Sequence, residues 1–183
     1  GANRYWEMSG TTRWSSLAVR TVSLNWSVAG SGDFDGDGRD DLLWRNTNGA
    51  NVVWLMQGET RSDRASLPTV TSTWDVAGVG DFDGDGMADV FWHNPDTGAN
   101  SIWLLNGMER KSRGSIPSTG STWSPFAVYD MNGDNKADIL WRNSSSGANR
   151  LWLMDGTTRT GSLVVKGISD SDWEPAAVGN VSN

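Results

Sequence analysis

Apolar residues along the chain come in short runs broken by clusters of Gly, Asn, Asp, Ser and Pro, with no helical spacing anywhere. Runs of that length, rich in Val, Ile, Leu and Trp, predict β-strands joined by turns. The runs fall into kinds that return in a fixed order. One follows Gly-Ala-Asn and centres on a Trp: Arg4 to Met8, Val52 to Met56, Ser101 to Leu105 and Arg150 to Met154. It turns at a Gly (Gly10, Gly58, Gly107, Gly156) into a polar stretch that ends in short apolar pieces such as Ser16 to Val19 and Ser162 to Val165. A second Trp (Trp26, Trp74, Trp123, Trp173) then leads into a strand such as Asp75 to Gly80. After an acidic loop comes a third Trp strand: Asp41 to Asn46, Asp89 to Asn94 and Asp138 to Asn143.

Gly-Ala-Asn begins at Gly1, Gly49, Gly98 and Gly147, in steps of 48, 49 and 49. Each step holds about four short strands, which predicts a β-propeller of four-stranded blades within a single repeat domain, 1–183. The repeat copies run 1–25, 26–73, 74–122 and 123–172, with a partial copy 173–183. That partial copy aligns with Trp74 to Gly84, so the ends, if joined, would lack the equivalent of Asp85 to Thr97. The expectation is roughly 3.75 repeats, circularly offset. Either the chain is a piece of a longer array or self-association completes a ring, because open blade edges are a liability for a lone molecule.

The acidic loops add chemistry to this frame. In Asp81-Phe82-Asp83-Gly84-Asp85-Gly86-Met87-Ala88-Asp89, carboxylates stand at positions 1, 3, 5 and 9 and Gly at position 6. Asp33 to Asp41 repeats this, and Asp130 to Asp138 repeats it with Asn132 at position 3 and Asn135 at position 6. Alternating acids in a tight loop can supply the six to eight oxygens that Ca²⁺ takes. The acids at positions 1, 3, 5 and 9 of the loops make up half of the 22 acids in a chain of net charge −7, so the acidity is local and metal-directed. It argues against nucleic acid as a partner. There is no Cys, hence no disulfide or thiolate site, and no apolar run long enough to span a membrane. Calcium loops of this kind suit the millimolar calcium outside cells, and an extracellular, secreted protein is expected.

The run Gly80 to Trp92, with Gly32 to Trp44 and more loosely Tyr129 to Trp141, resembles the FG-GAP/VCBS repeat. The resemblance covers essentially the whole chain. It implies propellers of the integrin-α head type with Ca²⁺ in the strand-to-strand loop. It also implies relatives among Psathyrella-type sugar-binding lectins and modules of secreted bacterial enzymes. A shared fold does not fix function.

Three Ca²⁺ sites are assigned. The first takes Asp33, Asp35, Asp37, Asp41 and the carbonyl of Arg39. The second takes Asp81, Asp83, Asp85, Asp89 and the carbonyl of Met87. The third takes Asp130, Asn132, Asp134, Asp138 and the carbonyl of Lys136. Asn135 tolerates the positive φ that Gly supplies in the other loops. The fourth copy keeps only Asn180 and Ser182.

Eleven of the 12 Trp fall in three columns, with Trp14 the exception. Most columns are expected to pack blade on blade. One remains for stacking on a sugar, and the candidate ligand residues are Trp44, Arg45, Asn46, Trp92, His93, Asn94, Trp141, Arg142 and Asn143. The sole His replaces Arg in a repeat column, and no catalytic residues are assigned. The expected function is a calcium-stabilised recognition module, a multivalent carbohydrate-binding lectin with glycan partners. The alternative is a protein-binding adhesion or scaffolding propeller, or an accessory module of a secreted enzyme.

Overall fold

A computed structural model describes residues 2–166. The partial copy 173–183, with Trp173, Asn180 and Ser182, lies outside the described residues. Those residues form fourteen strands and no helix. In chain order they are β1 (Asn3–Ser9), β2 (Thr12–Val19), β3 (Trp26–Gly32), β4 (Asp41–Asn46), β5 (Asn51–Gln57), β6 (Thr60–Leu67) and β7 (Asp75–Gly80). Then follow β8 (Asp89–Asn94), β9 (Ala99–Asn106), β10 (Glu109–Ile116), β11 (Trp123–Tyr129), β12 (Asp138–Asn143), β13 (Asn149–Asp155) and β14 (Thr158–Val165). Neighbours in sequence pair antiparallel, giving three four-stranded blades, β3–β6, β7–β10 and β11–β14, preceded by the pair β1–β2. This is the bladed, all-β architecture that the repeat pattern predicts. The third-Trp strands coincide with β4, β8 and β12 from end to end.

Central strands are buried on both faces, which is why they read as continuous apolar runs and not as an alternation. All six residues of β8 are buried. Alternate residues of one strand feed different cores. Leu43 and Val53 pack forward on Val90, Trp92, Trp103 and Leu105 of the next blade. Trp44, Val52, Trp54 and Met56 face back towards Val19 and Val22. The next seam repeats this, with Phe91 and Ile102 against Ile139, Trp141, Trp152 and Met154. Each buried Trp removes roughly 200 Å² from water, so these seams carry much of the hydrophobic stabilisation.

The strands that open each blade, β3, β7 and β11, touch one another across the seams. Their glycines permit this approach. A Cβ on Gly78 would lie 2.2 Å from Val128 Cγ2, and one on Gly30 would lie 2.5 Å from Val79 Cγ2. The same strands bulge at matching places, Val28/Gly30, Val76/Gly78 and Pro125/Ala127. The acidic loops follow these strands and so gather at one end of the blades. Backbone bonds lace them together: Ala88 N donates to Asp33 O (2.6 Å) and Ala137 N to Asp81 O (2.6 Å).

Candidate metal loops and interblade pockets

The first acid of each loop organises its backbone. Asp33 Oδ1 accepts from the amides of Gly36 (2.7 Å) and Asp37 (3.1 Å), and its Oδ2 from Gly38 (2.7 Å). Asp81 takes the amides of Gly84, Asp85 and Gly86 in the same way, and Asp130 those of Gly133, Asp134 and Asn135. Burial works against charge on Asp130, but these amides and that of Asn132 outweigh it and hold the carboxyl below its ordinary pKa. Asn135 sits at φ 64°, where Gly38 (φ 84°) and Gly86 (φ 86°) stand in the other loops. Asn is thus accommodated in the left-handed conformation the turn requires.

The ninth residue ties the loop to the blade. Asp41 Oδ2 accepts from Phe34 N (2.9 Å) and its Oδ1 from Met56 N (2.7 Å). Asp89 does the same with Phe82 N (2.9 Å) and Leu105 N (2.8 Å), and Asp138 with Met131 N and Met154 N (both 3.1 Å). All three are buried. Burial raises each pKa against the lowering effect of the amides, and brings Asp89 to about 7, with Asp83 and Asp81 adding to the rise.

Carboxylate oxygens of Asp33, Asp35 and Asp37 lie within 4.8 Å of one another, as do those of Asp81, Asp83 and Asp89. An all-oxygen set of this kind suits a hard divalent cation. The loops differ in what else meets the acids. Asp37 pairs with Arg39 Nη1 (2.9 Å), while Lys111 Nζ reaches Asp83 (3.3 Å) and Asp85 (3.6 Å). In the third loop Asn132 Nδ2 donates to Asp134 Oδ2 (3.0 Å), and Lys136 turns to Asp155. The amides of Arg39, Met87 and Lys136 each donate to the acid at position 5.

The nine residues expected at a ligand surface lie largely inside the blades. Trp44, Trp92 and Trp141 are buried in the seams. Arg45 donates to Asn51 Oδ1 (3.0 Å), Thr71 O (2.9 Å) and Trp74 O (2.7 Å), and lies over Trp92 at 5.0 Å. His93 is buried, shares a 2.7 Å hydrogen bond with Asn100 Oδ1, and meets Trp141 edge-on. Arg142 donates to Gly147 O and Asn149 Oδ1 (both 3.3 Å). Asn46, Asn94 and Asn143 accept from turn amides at Asn48, at Asp96 and Thr97, and at Ser145 and Ser146. The polar groups of Arg45, His93, Arg142 and the three Asn are committed to blade structure, while Trp44 and Trp92 also line open pockets.

Open surface that combines Trp and Arg lies in two pockets at the blade seams, which Trp44 and Trp92 help to line. The first, about 180 Å³, is lined by Trp26, Trp44, Trp54, Arg20, Arg61 and Arg64. The second, about 410 Å³, is lined by the repeat equivalents Trp74, Trp92, Trp103, Arg110 and Arg113, with Ser101. The walls are indole rings, one of them (Trp54 or Trp103) covered by a guanidinium: Arg61 lies 4.8 Å from the Trp54 centroid and Arg110 4.6 Å from that of Trp103. Such a pocket can take a flat or weakly apolar ring with polar groups at its rim. These arginines were not among the candidates because β6 and β10 read as polar stretches with little apolar signal. The signal was there: Arg13, Arg61, Arg110 and Arg159 recur at the repeat spacing, and each lies over the Trp of the preceding strand.

Antiparallel four-stranded blades, laced acidic loops and a pocket repeated from seam to seam define a propeller-type repeat protein. The pattern described as FG-GAP-like repeat matches the chain twice, over residues 33–92 and 81–141. The chain belongs to that family. None of the curated proteins compared with the chain matches it.

Proposed function

We propose that the chain is an exported, calcium-stabilised recognition module that binds carbohydrate at its interblade pockets and performs no chemistry on it. The observation that supports this reading is the double occurrence of one pocket, three Trp with two Arg, at equivalent seams. Indole faces stack on the apolar face of a pyranose, and guanidinium groups donate to its oxygens. Two copies on one body give avidity for a polymer that presents the same sugar repeatedly. Calcium has a structural part here. The Asp33 and Asp81 loops provide carboxylates for it, and the ion would neutralise acids that otherwise repel one another. His93 is committed to Asn100 and offers no general base.

A glycan array probed in millimolar calcium tests the reading. Binding to at least one sugar class, lost in excess chelator, is the expected result. A blank array in calcium would end it.

A second reading, a protein partner or another copy of the chain, draws on β1–β2. There Trp6, Met8 and Trp14 are exposed, Trp14 by 73%. A protein ligand captured without competition from monosaccharides would favour it, and so would a solution mass above that of one chain.

A further inference from the structure

The two pockets carry charge as well as aromatic surface. Arg61, Arg64, Arg110 and Arg113 form no ion pair with any described residue, and no Asp or Glu lines either pocket. Arg20 adds a third guanidinium to the first pocket. Burial, and then the charges of Arg20 and Arg64, depress the Arg61 pKa, with Asp63 in partial opposition. In a chain of net charge −7, cations have been gathered in pockets lined by no acid, with Asp63 acting on Arg61 only through its field. Arg64 and Arg113 stand directly across the strand pair from Trp54 and Trp103, so each pocket sets a guanidinium fork beside an indole wall. Forks of this kind match the paired oxygens of a carboxylate or sulfate.

The third seam shows what the site needs by lacking it. Ser162 stands opposite Trp152, where Arg64 and Arg113 stand in the other two blades. Arg150 occupies the position of Val52 and Ser101 and lies 4.9 Å from the Trp123 ring, across the equivalent of the pocket. The rim arginine is replaced by a serine there, and another arginine covers the Trp123 ring.

We propose that the pockets at Arg61/Arg64 and Arg110/Arg113 are anion-selective subsites for acidic carbohydrate, a pyranose carrying a carboxylate or sulfate, and that the described blades hold two of them. This rests on the carbohydrate reading above and names the class of sugar.

The test is calorimetric titration of the full chain in calcium with matched oligosaccharides: a polyuronate, a sulfated glucan, and their neutral counterparts. The acidic members are expected to bind about 10-fold or more tightly than the neutral ones, with affinity falling as salt rises. Arg64→Gln and Arg113→Gln should each remove one of the two acidic sites, and the double variant should lose the acid preference with an unchanged melting temperature. A preference for only one of the two acidic sugars identifies the anion and supports the proposal. Equal binding of neutral and acidic sugars overturns the proposal and leaves the carbohydrate reading standing. Failure of every sugar removes both. Equal binding of poly-glutamate would overturn the sugar assignment in favour of an acidic peptide, and an acid preference that survives the double variant would remove these arginines from the site.

Discussion

The guanidinium of Arg45 lies 5.0 Å from the ring centroid of Trp92, which belongs to the following blade. The same side chain donates to Thr71 O and Trp74 O in the connection between the two blades. Burial lowers its pKa while Asp75 opposes the shift, so the charge is retained in a partly desolvated seam. Arg45→Ala leaves those carbonyls without their donor and Trp92 without its cation. A loss of about 2–3 kcal/mol in unfolding free energy is expected from charged hydrogen bonds and a desolvated cation–π contact. Arg45→Lys should recover little of it, because one ammonium cannot span the same acceptors. Urea denaturation of the three proteins is the check. A loss under about 0.5 kcal/mol would show that the seam does not depend on Arg45.

The buried ninth acid makes the metal-free protein sensitive to pH. Burial lifts Asp89 from 3.8 to about 7 despite its two amide partners. An acid whose folded pKa lies above its unfolded one binds more protons when folded. Its contribution is therefore greatest below the unfolded value and is lost as pH rises through the folded one. In chelator, the melting temperature should fall between about pH 4 and pH 7, with Asp41 and Asp138 shifting in the same direction. Added calcium should reverse the trend, because it binds the ionised form. Asp89→Asn should flatten the chelator profile. A melting temperature that climbs across this window without metal would contradict the burial of these carboxyls in the folded loop.

What could be read from sequence followed the physics of repetition. A strand buried on both faces leaves a dense apolar signature, and β4, β8 and β12 were legible to the residue. The loop turns were legible because their acids recur at fixed spacing, and Asn135 at φ 64° bears out the reason for accepting Asn in place of Gly. The full or partial burial of Arg45, His93 and the three Asn was not legible, because Arg, His and Asn look alike on paper whether they face solvent or a neighbouring blade. Arg45 spends its donors on carbonyls of residues 71 and 74, a contact between repeats that no single repeat displays. The pocket arginines were hidden for the opposite reason. β6 is mostly exposed, with only Leu67 fully buried, so its sequence resembles a linker although it pairs with β5 along its whole length.

On the calcium reading proposed above, the loops should bind the ion unequally. The Asp33 and Asp81 loops bring three carboxylates together, whereas the third loop has Asn132 bonded to Asp134 and one negative charge fewer. Fewer anionic ligands lower affinity for Ca²⁺. Titration of the chelator-treated protein should show two tighter sites and one weaker. Calcium at 100 times the dissociation constant of one site should add about 2.7 kcal/mol to stability. Asn132→Asp should bring the third site closer to the others, and Asp33→Asn should weaken the first. An identical melting curve in calcium and in excess chelator would remove calcium from this account.

The close approach of opening strands gives a test of the blade packing itself. A methyl on Gly78 would meet Val128 Cγ2 at 2.2 Å and Cβ at 2.8 Å, so neither side chain can rotate the clash away without moving β7 from β11. Gly78→Ala should cost about 1–3 kcal/mol through overpacking. Val128→Ala alone should cost about 0.5–1.5 kcal/mol, as expected for lost buried methyl groups at a half-buried site. Together the two changes exchange a methyl on one strand for two on the other, and the pair should be more stable than the sum of the single losses predicts. A coupling of at least about 1 kcal/mol in the double-mutant cycle is the expected result. Simple additivity would mean that the two strands are not packed against each other at this seam.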